Sequence, residues 1–252
     1  MTAAVATPVS VRPVRRRTGP SPSSAVWLEV RKSLSTRSGL AVVVAAVLLA
    51  PAAMALAAGT ASEDLDDALG PLVVTGLLTA LVLLSLGALS TAGEWSSGSI
   101  QTTYLLEPRR GRVMAAKAAA VALMGAVIAV VASGLSVLVL LALQPSWPWD
   151  GVGRAILMVA VAGAAFALIG AGLGAAVGNT AGALTGIYLL NLGLLPVLQT
   201  TKPALADKID PGNAVLELAQ GTHQVQSVAI LAVWVGGALL AGTVMTRRRQ
   251  VS

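Results

Sequence analysis

Six stretches of this chain contain no Asp, Glu, Lys or Arg: Gly39 to Gly59, Leu72 to Ala92, Ala118 to Leu143, Ala155 to Gly178, Gly182 to Gln199 and Val228 to Thr246. About 20 apolar residues in a helix cross the roughly 30 Å hydrocarbon core of a bilayer. Each stretch reaches that length or comes close to it. In lipid a backbone must satisfy its own polar groups, and the alternating pattern of an outer-membrane barrel is absent here. The expected fold class is therefore an all-α membrane protein of six transmembrane helices, placed at about 39–59, 72–92, 113–143, 154–178, 182–199 and 228–246. Composition points the same way, with 56% hydrophobic residues, 11% charged residues and a mean hydropathy of +0.81. Six spans in 252 residues leave no room for a sizeable soluble enzyme domain. Zero cysteines exclude disulfides and thiolate metal sites, and a single histidine argues against haem or a multi-histidine centre. No catalytic, metal or cofactor-binding residue is assigned, and no nucleic acid is expected as a partner.

Charge sets the orientation. With the amino terminus in the cytoplasm, every Lys and Arg falls inside except Arg154, Lys202 and Lys208. The acids run the other way: only Glu29, Glu94 and Glu107 are inside, and Glu63, Asp64, Asp66, Asp67, Asp150, Asp207, Asp210 and Glu217 are outside. Both termini are then cytoplasmic. Trp147 and Trp149 suit an outer interfacial belt, and Trp27 and Trp95 an inner one. The first run also resembles a signal peptide, because a basic leader precedes it and AMALAAG imitates a cleavage site. Its length and that of its leader favour a retained span.

The polar passages refine this plan. Residues 1–24 mix Pro, Ser and Arg without periodicity and read as a disordered basic cytoplasmic tail, followed by a membrane domain over 25–252. Val26, Val30 and Leu34 lie at helical spacing among Arg31, Lys32 and Arg37, which predicts an amphipathic interfacial helix over 25–37 that breaks at Ser38 and Gly39. In span four, Gly170, Gly174 and Gly178 repeat at the small-xxx-small spacing that lets helix backbones approach closely, either within the chain or across a homodimer seam. Pro196 predicts a kink in span five, and Asn191 a hydrogen bond to a neighbouring helix. Between residues 200 and 227, Leu205 and Ile209, then Val215, Leu216 and Leu218, flank Asp210-Pro211-Gly212. This predicts a short extracytoplasmic helical hairpin before the last span.

The passage GEWSSGSIQTTYLLEPRRGRVMAAK, Gly93 to Lys117, interrupts the apolar pattern on the cytoplasmic side. A short helix there would be stopped by Pro108 and followed by arginines held in water or at lipid phosphates. The order Glu94, Gly98-Ser99, Leu105-Leu106, Pro108, Arg109-Arg110 and Lys117 resembles the integral-membrane permease subunits of ABC transporters, in the type-two exporter class. The interfacial helix, the six spans and the insertion before the last span fit that layout too. Ser99 stands where Thr is commoner and keeps the hydroxyl.

The resemblance implies a permease that exports its substrate across a bacterial plasma membrane as a homodimer or heterodimer. Its energy would come from ATP through separate cytoplasmic ABC ATPase subunits, since no GxxxxGK[ST] loop is present. The Gly93–Lys117 loop would be the coupling element. Glu94 would anchor it, Gly98 and Ser99 would form its turn, and Arg109, Arg110 and Arg112 would contact the partner or membrane lipid. A permease-like role in sensing or assembly is the variant within the family.

Two other classes are weighed against this one. Secondary transport would need carboxylates within spans to relay protons or ions, and the six charge-free runs hold none. An intramembrane serine protease would pair Ser133 with His223. Ser133 lies deep in span three without the flanking motif of such enzymes, and His223 lies in a loop.

Overall fold

The computed structural model describes residues 21–60, 68–107, 109–144 and 146–249, except for the side chains of Thr60 and Leu106. The tail up to residue 20, the acids Glu63 to Asp67 and Pro108 lie outside the described residues. Among the described residues all regular structure is helical. In chain order the helices are α1 (Pro22–Ser35), α2 (Arg37–Thr60), α3 (Leu69–Ser96), α4 (Ile100–Leu106), α5 (Arg110–Leu143) and α6 (Val152–Val177). There follow α7 (Thr180–Tyr188), a π-helical turn at Leu189–Leu194, α8 (Leu195–Thr201), α9 (Pro203–Ile209), α10 (Pro211–Gln220) and α11 (Gln224–Arg248). Six segments are long and apolar enough to cross a membrane: α2, α3, α5, α6, the continuous α7–α8 segment, and α11.

Several of these helices outrun the charge-free stretches that mark them in the sequence. The third span begins at Arg110 and the second continues to Ser96, because a helix does not end where apolarity ends. Backbone hydrogen bonding continues until a cap or a breaker stops it. The first helix likewise starts earlier than residue 25. Ser21 accepts a hydrogen bond from the Ser24 amide and Pro22 occupies the first turn, so residues 22–24 are helical rather than part of a tail. Its break from α2 falls at Thr36, whose backbone is extended, not at Ser38 or Gly39.

Helix α6 is the hub of the bundle, packing on α3, α5 and α11. Glycine makes these approaches possible. A Cβ on Gly170 would fall onto the Leu84 carbonyl of α3, one on Gly174 would meet Thr91 and Ala88, and one on Gly172 would strike the Ala238 backbone of α11. On the third face Gly163 and Gly125 bring α6 and α5 together backbone to backbone. Phe166, Leu83, Leu84 and Met54 are among the larger side chains enclosed around this hub.

Span five is the least buried of the six. Pro196 has no amide to offer the carbonyl one turn before it, and the chain accommodates this by widening into the π-helical turn at Leu189–Leu194. Asn191 does not reach a neighbouring helix. Its amide donates to the Ile187 carbonyl of its own helix at 2.9 Å, which helps satisfy the widened turn. The hydroxyls of Ser85 and Tyr188 hydrogen-bond and tie this span to α3.

The pair α9–α10 turns at Asp210, which caps α10 by accepting from the Gly212 amide at 2.7 Å and also accepts from the Gln199 side chain. Trp234 of α11 donates its indole N–H to the Ile209 carbonyl at 2.7 Å, pinning the turn to the last span. Trp234→Phe should remove this bond at a cost of about 1 kcal/mol. Faster hydrogen exchange confined to α9 and the start of α10 is the expected readout.

Candidate functional site

At the end of the bundle where α4 lies, four charged side chains from three helices converge. Lys117 of α5 is 4% exposed. Its ammonium donates to Glu29 of α1 at 2.6 Å, to Glu94 of α3 at 2.7 Å and to the Ser90 carbonyl at 3.2 Å, so all three protons are used. Lys32 of α1 donates to the same two carboxylates, at 3.0 Å to Glu29 and 3.2 Å to Glu94. A third contact, at 3.4 Å, reaches the Thr103 hydroxyl on α4. Two acids and two bases balance each other, as a cluster largely out of water requires. The second oxygen of Glu94 is buried and has no hydrogen-bond partner among the described residues.

Burial pulls the Lys32 ammonium pKa down, but the hydrogen bonds and charges of Glu29 and Glu94 outweigh it, and the group sits above its ordinary value. It therefore stays protonated through the physiological range. Any stability it contributes is complete below the ordinary lysine pKa and lost only as pH rises through the raised one.

The turn into α4 is built for its direction. Gly98 has φ +72°, a left-handed conformation that a side chain would strain. The Ser97 hydroxyl closes back on the Gly93 carbonyl at 2.8 Å and meets the Ser99 hydroxyl at 3.0 Å. Helix α4 then presents Leu105 outward at 85% exposure, with Gln101 and Thr102 also exposed, while Thr103 and Tyr104 turn toward the bundle. Burial holds the Tyr104 phenol above its ordinary pKa against the opposing charge of Arg110, so it stays neutral.

The three arginines after α4 differ. Arg109 is exposed, Arg112 pairs with Glu107 at 3.5 Å, and Arg110 turns inward over the Tyr104 ring at 5.0 Å from its centroid. Of the glycine stripe, Gly170 and Gly174 face α3, while Gly178 caps α6 with φ +66°. On α1, Val26 and Val30 pack against the core and Leu34 is exposed; Trp27 and Leu28 join Leu34 on the outward face.

The remaining candidates lie apart from this site. The Ser133 hydroxyl donates to the Ala129 carbonyl of its own helix at 2.8 Å, and His223 faces Glu217 at 3.6 Å, so each has another partner.

Glu29 and Lys32 are the members that the sequence did not assign to a site, and Lys117 was placed there only as the last residue of the loop. Their signal was present: Glu29, Glu94 and Glu107 are the few acids on the basic side, and all three are paired with bases in the structure. Compared with known proteins, the chain matches no family model and no curated protein sequence.

Proposed function

We propose that this chain is the transmembrane permease subunit of an ATP-driven exporter, powered by a separate cytoplasmic ATPase that docks on α4. The observation that carries the reading is α4 itself: a short helix outside the spans, with Leu105 bare on its outer face and its inner face tied to the bundle. Lys32 links it to the charged cluster that joins α1, α3 and α5, so a push on α4 is delivered to two spans at once. The gathering of basic residues at this end supports its assignment to the cytoplasmic side, with α9–α10 outside. On that orientation α1 lies at the inner leaflet with Trp27, Leu28 and Leu34 toward lipid. A second permease subunit, identical or related, completes the translocation path, and the loosely packed span five is the span in this bundle best able to accept it. The membrane is a bacterial plasma membrane.

The test is capture of an ATPase by the tagged protein from its native membrane. Leu105→Glu should lower capture at least about tenfold, since a buried carboxylate at an interface costs more than 1.4 kcal/mol. Undiminished capture would sink the docking role of α4.

One observation speaks for an ion-coupled carrier instead: the buried Glu94 carboxylate with a free oxygen. Flux into vesicles driven by a proton or sodium gradient without ATP would favour that reading.

A further inference from the structure

Two guanidinium groups near α4 are engaged with the carbonyls of helix ends. Arg110, the first residue of α5, donates to the carbonyls of Thr246 and Arg249, each at 2.8 Å, and to that of Arg247 at 3.4 Å. These are orphan acceptors at the end of α11, where a cation also suits the helix dipole. Arg249, just past α11, repeats the arrangement on α6. Its guanidinium donates to the carbonyls of Ala175 at 2.9 Å, Val177 at 2.7 Å and Ala176. Each group also lies on an aromatic ring from the α3–α4 region, Arg110 on Tyr104 and Arg249 on Trp95 at 5.1 Å.

Gly178 makes the second seat possible. A Cβ at this left-handed position would occupy the place of the Arg249 guanidinium. The glycine therefore serves the fit of an arginine as well as the end of α6.

We propose that Arg110 and Arg249 form a latch that makes α4, the end of α11 and the end of α6 move as one body. Displacement of α4 then reaches the last span through these two positioning residues, whose acceptors lie on the ends of α11 and α6, whereas the charged cluster bonds α1, α3, α5 and, through Lys32, α4. The proposal rests on the reading of α4 as the docking element only for the source of the displacement.

The described chain has no cysteine, so spin labels can be placed cleanly. Labels at Thr102→Cys on α4 and Val244→Cys on α11, both exposed positions, report their separation in lipid nanodiscs. The parent and Arg248→Ala, which removes an exposed neighbouring charge, should give the same narrow distance distribution. Arg110→Ala and Arg249→Ala should each broaden and shift it; Gly178→Ala, which crowds the Arg249 seat, should do the same should one arginine variant fail to fold. A parental distribution in the folded latch variants overturns the latch, as does equal broadening in Arg248→Ala.

Where an ATPase is captured, the latch variants should still capture it. ATP with vanadate should then change the spectrum of a single Val244→Cys label in the parent but not in the variants; an equal change in the variants overturns the proposal. Failure of capture itself concerns the docking reading and leaves the distance measurement intact.

Discussion

Lys117→Met is expected to destabilise the folded bundle by about 3–5 kcal/mol, the usual cost of removing one partner from a buried ion pair. The loss follows from what stays behind. Glu29 and Glu94 keep their desolvation cost, lose the ammonium held at 2.6 and 2.7 Å, and have only the half-exposed Lys32 to share. Unfolding in mixed micelles followed by circular dichroism measures the change. Adding Glu29→Gln should recover part of the loss, because the double variant removes a charge that the single variant leaves unpaired. Strict additivity of the two changes, or a Lys117→Met midpoint equal to that of the parent, would show that the cluster contributes no coupling between α1 and α5.

Gly170→Leu should be among the most damaging substitutions in the α3–α6 seam, with a loss of about 3 kcal/mol or more. Its first side-chain carbon would land on the Leu84 carbonyl, a backbone atom that cannot rotate away, so α3 and α6 would have to separate along their whole contact. The same unfolding assay reads this effect. Gly237→Ala is the matching control, since a Cβ there meets nothing and alanine favours the helix by about 0.5–1 kcal/mol. A Gly170→Leu protein as stable as Gly237→Ala would mean that the seam is looser than its geometry requires.

Particular residues mark how far the fold was legible in advance. The six spans were readable because a missing charge over twenty residues is a local property, visible without knowing any neighbour. The two short helices around Asp210 were readable for a similar reason, since proline, glycine and a capping acid punctuate the chain locally. Helix ends were less so. Arg110 looked like a water-facing charge at the edge of a span, whereas from the first position of α5 it turns inward and caps another helix more than a hundred residues away in sequence. Asn191 looked like a tie to a neighbour and instead bonds the Ile187 carbonyl of its own helix, where the chain enters the π-helical turn.

The amino-acid sequence by itself determined that this chain is a bundle of six apolar helices with one basic end and a short polar element there, since hydropathy and charge are written residue by residue. Only the tertiary structure decided which polar groups meet. Glu29 and Lys117 are 88 positions apart and Arg110 and Arg249 are 139 apart, and no local pattern ties them. Buried charges and orphan helix ends must find complementary partners, and which partners are within reach depends on how the glycine-faced helices pack. That packing turned a loop of scattered charges into a balanced cluster and a pair of helix caps around α4.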